Sequence, residues 1–162
     1  MNVLLKAAPS VAGSKMTTPV KKKILLVDDD PAIQQILYHL LTDENYSVLL
    51  ATNGEEALKL ADITPLNLVL LDLNMPVKNG WDTFEQLTSK NPLVPIIVIT
   101  ARPDQYLPAR ASGIDALMEK PLDLPTLLET INELLQQPAE NHLARLAGEP
   151  CEFRYVPPKA EK

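Results

Sequence analysis

Short unbroken apolar runs alternate along the chain with stretches whose apolar positions recur at three- and four-residue spacing. Ile24–Val27 is the first run, set between Lys21–Lys23 and three aspartates. A run of leucine and β-branched residues this short predicts a strand buried on both faces. Pro31 then stands where a helix would open, Asp30 in the capping position, and Ile33, Ile36, Leu37, Leu40 and Leu41 continue at helical spacing. The unit repeats. Ser47–Ala51 predicts a strand, and Asn53 opens a helix carrying Ala57, Leu58 and Ala61. Leu68–Leu71 predicts a strand ending at Asp72, with Trp81, Phe84 and Leu87 as the stripe of the next helix. Ile96–Ile99 leads to Thr100, and Ala116–Glu119 leads to Lys120 and Pro121. Asp123 is expected to cap a last helix with Leu127, Leu128, Ile131, Leu134 and Leu135 on one face. The fourth helix, expected over 103–112, has the weakest pattern: Pro103 and Pro108 interrupt it, and an interior proline costs a helix about 3 kcal/mol.

Five strands alternating with helices predict an α/β fold, a doubly wound parallel sheet covered on both faces with right-handed crossovers. In such sheets ligand chemistry gathers at the carboxyl ends of the strands. The polar residues at those ends are Asp28 and Asp29, Thr52, Asp72, Thr100 and Lys120. Residues 1–21 read as a basic extension, with Met16 as a second possible start of translation. Residues 22–137 read as the domain. Residues 138–162 read as a tail that packs loosely or adds one short element, with one more turn at Leu143 and Leu146, weak alternation over Glu152–Val156, and too little chain for an output domain.

Charge sharpens this picture. The net charge of -6 is unevenly spread: residues 1–23 hold five lysines and no acid, whereas 24–137 hold 17 acidic residues against 6 basic ones. An acidic domain argues against a nucleic-acid surface and suits a site that concentrates cations. One cysteine, Cys151, permits no internal disulfide, which fits a reducing, cytoplasmic compartment; with two histidines it makes a structural zinc site implausible. No apolar run reaches the roughly 18 residues of a membrane span.

Three carboxylates, Asp28, Asp29 and Asp72, are expected to converge at neighbouring strand ends. Their repulsion calls for a proton or a cation, and a hard divalent ion such as Mg²⁺ with oxygen ligands suits the set. Lys120 adds a point charge able to pair with a carboxylate or a phosphoryl oxygen, and Thr100 adds a hydroxyl donor. Taken singly, the aspartate run equally suits a solvated cap, Asp72 a turn, and Lys120 a surface cation. Their placement on one edge of one sheet is what joins them.

The run from Leu26 to Asp30, the stretch from Leu71 to Pro76 with Gly80, Ile99–Ala101 and Glu119–Pro121 together resemble the receiver domain of two-component response regulators. The resemblance covers roughly residues 22–137 and implies a flavodoxin-like five-stranded sheet of order 2-1-3-4-5. It implies that Asp72 accepts a phosphoryl group, that Asp28, Asp29, Asp72 and the Asn74 backbone carbonyl hold Mg²⁺, and that Thr100 and Lys120 contact the phosphoryl group and switch. The implied partners are a sensor histidine kinase or histidine phosphotransfer protein and a downstream protein, with no nucleic acid or membrane bound by the domain itself. One position departs from the pattern: the ring usual three residues before the lysine is Leu117 here. The switching change over 101–118 is therefore expected to be smaller or differently shaped.

Two other readings compete with a stand-alone signalling module that does not turn over free substrate. An aspartyl phosphatase would usually carry an acid/base aspartate two residues after the nucleophile, where this chain has Asn74. A degenerate scaffold would not need the full set of Asp28, Asp29, Asp72, Thr100 and Lys120.

Overall fold

The computed structural model describes residues 19–75, 79–149 and 153–160. The first eighteen residues of the basic extension, Pro76 of the loop motif, Cys151 and Glu152 lie outside the described residues.

The five expected strands form at their expected places: β1 (Lys23–Val27), β2 (Ser47–Ala51), β3 (Leu68–Asp72), β4 (Ile96–Thr100) and β5 (Ala116–Glu119). Helices α1 (Pro31–Asp43), α2 (Gly54–Ile63), α3 (Gly80–Lys90), α4 (Tyr106–Ser112) and α5 (Leu124–Gln136) alternate with them. Each strand pairs in parallel with its neighbour, and the order 2-1-3-4-5 is present. Alternate residues of the strands point to opposite faces. Leu25, Val27, Val69, Leu71, Val98 and Leu117 therefore pack with Ala57, Phe84, Leu87 and Ala109 of α2, α3 and α4. Ile24, Leu26, Leu68, Leu70, Ile97 and Met118 pack with Leu37, Leu41, Leu127 and Ile131 of α1 and α5. Both faces of the sheet are covered, which is why the strands read as unbroken apolar runs.

Asp30 caps α1 by accepting from the Ala32 and Ile33 N–H groups, and Asn53 caps α2 by accepting from Glu56. Asp123 stands at the start of α5, but its carboxylate accepts the Thr126 hydroxyl instead of a backbone N–H. The prolines do not break α4. The helix opens at Tyr106, past Pro103, so Pro108 falls in its first turn. N–H groups there have no partner within the helix, and the expected penalty does not arise.

The sheet does not stop at five strands. After α5 the chain forms α6 (Ala139–Leu146) and β6 (Arg154–Val156), and β6 pairs in parallel with β5 as a sixth strand at that edge. Gly113 makes room for α6. Its φ is 79°, and a Cβ there would lie 2.6 Å from the Arg145 carbonyl oxygen. Among the described residues no helix is long and apolar enough to cross a membrane.

Candidate phosphoryl and metal site

The parallel register brings the ends of β1, β3 and β5 to one edge. Asp28 follows β1, Asp72 is the last residue of β3, Thr100 the last of β4, and Lys120 follows β5. Asp28 and Asp72 are buried, 2 % and 3 % exposed, while Asp29 is exposed. One carboxylate oxygen from each of the three aspartates falls within 4.8 Å of the others.

The two buried carboxylates are held alike. The Oδ1 of Asp28 accepts from the Asp30 N–H at 2.9 Å, and the Oδ1 of Asp72 accepts from the Asn74 N–H at 2.9 Å. Their Oδ2 atoms share one cation: Lys120 Nζ donates to Asp28 at 3.3 Å and to Asp72 at 3.4 Å. The Lys120–Pro121 peptide bond is cis. The Lys120 N–H donates to the Thr100 carbonyl at 2.7 Å, tying the ends of β4 and β5. Thr100 is fully buried, and its hydroxyl oxygen accepts the Arg102 N–H at 3.0 Å, leaving its own proton to give.

Burial pushes the Asp28 carboxyl above its ordinary range, and the Asp72 charge pushes the same way. The Asp30 N–H and the Lys120 ammonium pull it back only in part. Burial pulls the Lys120 ammonium down, but Asp72 and Asp28 outweigh it, so the lysine binds its proton more tightly than usual. Two carboxylates paired with one ammonium, and the Asp29 carboxylate beside them, leave negative charge in excess. This donor set fits a hard divalent cation with oxygen ligands.

Leu117 is not part of this group. It is fully buried on the α4 side of the sheet, in the middle of β5. The loop after Asp72 is set by Gly80 at the start of α3. A Cβ on Gly80 would lie 2.6 Å from the Leu73 Cα. Gly80→Ala is expected to cost about 1–2 kcal/mol through overpacking and to displace Leu73–Asn74, read by urea unfolding and by weaker Mg²⁺ binding. An unchanged midpoint and affinity would contradict that packing.

Sequence reading missed two features. One is the buried set Asp115, His142 and Arg145, whose members stand 27 and 30 residues apart. The other is Tyr155, whose hydroxyl donates to Glu119 at 2.9 Å. The one signal for either was the weak alternation leading into Val156.

Comparison with known proteins agrees with this geometry. The family model of the response regulator receiver domain matches residues 24–132. The transcriptional regulatory protein CpxR of Klebsiella pneumoniae is 37 % identical over 132 residues, covering 79 % of this chain and 56 % of that protein. The chain spans 27 to 56 % of the length of the curated relatives it matches. A CheY-like receiver domain from Methanospirillum hungatei superposes with a TM-score of 0.68 at 31 % identity, over 72 % of this chain and 94 % of that one. The response regulator TrrA of Thermotoga maritima, solved with Mg²⁺ and BeF, gives 0.66 at 33 % identity, over 70 % and 98 %.

Proposed function

The chain belongs to the response regulator receiver family, the signalling modules of two-component systems, and from that premise we propose that Asp72 takes a phosphoryl group from a phosphohistidine. The donor is a sensor histidine kinase or a histidine phosphotransfer protein. The observation that carries the assignment is the pair of buried carboxylates, Asp28 and Asp72, converging on the single ammonium of Lys120.

Asp28, Asp29, Asp72 and the Asn74 carbonyl are the groups that would hold Mg²⁺, the ion found with the Thermotoga relative. Bound there, the ion would neutralise charge on the transferring phosphoryl oxygens. The rest falls to the side chains. The Asp72 carboxylate attacks phosphorus in line. An oxygen–phosphorus bond forms, the phosphorus–nitrogen bond breaks, and the imidazole leaves with the electron pair and takes up a proton. The product is an acyl phosphate. Lys120 Nζ, 3.4 Å from Asp72 Oδ2, exchanges a carboxylate for a phosphoryl oxygen. The Thr100 hydroxyl donates a hydrogen bond to another.

An apolar groove of about 460 Å³ opens beside the site between α1 and the chain after β5, lined by Ile33, Ile36, Leu37, Lys120, Leu122 and Leu124. Ile36 is 54 % exposed on its rim. Because the groove shares Lys120 with the site, a partner seated in it presents its histidine to Asp72. This reading places the module in the cytoplasm, and its output is a changed surface offered to a downstream protein or onward transfer of the phosphoryl group. Asn74, two residues past Asp72, cannot act as the acid/base of an aspartyl phosphatase.

Incubation with Mg²⁺ and acetyl phosphate is expected to give a single phosphoryl adduct by intact mass, absent in Asp72→Asn. Steady release of phosphate from assorted small esters would favour the phosphatase instead. Mg²⁺ at ten times its dissociation constant is expected to add about 1.4 kcal/mol of stability. That raises the melting temperature by about 3–6 °C. An equal rise in Asp28→Asn would remove the ion from this site.

A further inference from the structure

The chain beyond α5 is fastened along β5, and its two ends are held differently. At the end remote from Asp72 the fastening is buried. Asp115 Oδ1 meets His142 Nδ1 at 2.7 Å and accepts from Arg145 Nε at 3.1 Å, while its Oδ2 accepts the Ile96 N–H at 3.0 Å. Gly113 lets the backbone of α6 press against this point.

Toward the phosphoryl site the fastening is lighter and half-buried, with Phe153 and Val156 resting against the two core faces. β6 is three residues long and none of them is fully buried. Arg154 leaves the anchored end, its N–H donating to the Asp115 carbonyl at 3.1 Å and its guanidinium reaching Glu133 and Glu129 of α5. The Tyr155 hydroxyl donates to Glu119 Oε1, and its ring meets the Tyr106 ring of α4 edge-on at 5.2 Å. The Lys159 N–H donates to the Pro121 carbonyl at 2.9 Å. Glu119 and Pro121 are the residues on either side of Lys120.

We infer that residues 153–159 form a strap whose grip on β5 reports the state of Asp72, and that phosphorylation loosens it, baring the β5 edge and Tyr106. The inference rests on Asp72 being the acceptor. A ligand shifts an equilibrium only through contacts that differ between its two states. A phosphoryl group on Asp72 takes Lys120 Nζ away from its carboxylates and draws on Thr100, whose carbonyl holds the Lys120 N–H. The strap bonds to Glu119 and Pro121 fit the arrangement of that tripeptide in which Lys120 Nζ is paired with Asp28 and Asp72. Tyr155 is the register partner of Leu117, and paired residues share a face of the sheet, so its ring lies on the α4 side.

The full chain with Mg²⁺ and beryllofluoride, compared with the chain without them, tests this by hydrogen exchange. The Lys159 amide, bonded beside Lys120, is expected to exchange at least about fivefold faster, with 139–147 unchanged. Linkage is reciprocal, so Arg154→Ala and Tyr155→Phe, which spare the buried anchor, are expected to raise beryllofluoride affinity about fivefold by ¹⁹F NMR titration. Beryllofluoride binding that leaves exchange and variant affinities unaltered would overturn the strap and leave the acceptor role of Asp72 standing. Slower exchange with weaker binding by the variants would overturn it too. No binding that depends on Asp72 would overturn both.

Discussion

Lys120→Met is expected to destabilise the metal-free protein by about 2 kcal/mol at pH 8 and to slow phosphorylation by acetyl phosphate roughly 10²-fold. The ammonium is the cation shared by two carboxylates that are nearly fully buried. Breaking a buried pair by removing one partner costs about 3–5 kcal/mol. The lysine side chain is 20 % exposed and Asp29 opens the site to water, which reduces that figure. The pH dependence carries the signature. The Lys120 proton is held more tightly in the folded state, so its contribution is full below its ordinary value near 10.5 and fades only as pH rises through the higher folded value. Across pH 5–9 the parent protein keeps it. In the variant the deficit follows the carboxylates, so it shrinks as pH falls and Asp28, whose proton affinity is raised, becomes neutral. Urea unfolding in chelator at pH 5 and pH 8 reads the difference, and added Mg²⁺ should narrow it. A deficit independent of pH would mean that Lys120 contributes packing alone. The kinetic loss follows from removing a fixed positive donor at the transferring group, which typically costs 10²–10³-fold.

The opposite sign is expected for stability in Asp28→Asn. The asparagine keeps the shape of the side chain and removes one of three negative charges. Burial and the Asp72 charge raise the Asp28 proton affinity, so its favourable contribution is present below the ordinary carboxylate value and is lost as pH rises through the folded one. Once the carboxyl is ionised only the cost remains. The variant without metal should gain on the order of 1 kcal/mol and leave Lys120 paired with Asp72. Mg²⁺ binding should collapse. A unit charge facing a divalent ion is worth roughly 2 kcal/mol at 4 Å even in water's dielectric, about 30-fold in affinity. Stability gained while metal is lost is the mark of a carboxylate kept for chemistry. A variant that is less stable at pH 7 would assign Asp28 a structural role.

The strand ends were legible because parallel strands buried on both faces admit no polar residue until they end. Asp72, Thr100 and Lys120 each mark such an ending, and β3, β4 and β5 stop where the polar residue predicts. Capping at Asp30 and Asn53 was legible for the same local reason. The C-terminal elements were not. β6 has three residues, too few for a period-two signal, and its partner is the β5 edge, which exists only after the sheet has formed. Asp115, His142 and Arg145 are scattered in sequence and form one polar group only when α6 crosses Gly113. Pro108 misled for a converse reason. Its cost depends on where the helix starts, and that start is decided by packing of Ala109 against the sheet more than by local pattern.

Borohydride reduction after incubation with Mg²⁺ and acetyl phosphate tests the central claim most directly, because it converts an aspartyl phosphate to homoserine and marks the residue that carried it. Peptide mass spectrometry is expected to find the mark at Asp72 alone, and nowhere when Mg²⁺ is withheld or Asp72 is replaced by asparagine. A mark at Asp28 or Asp29, or an adduct that survives in Asp72→Asn, would contradict the assignment of Asp72 as the phosphoryl acceptor.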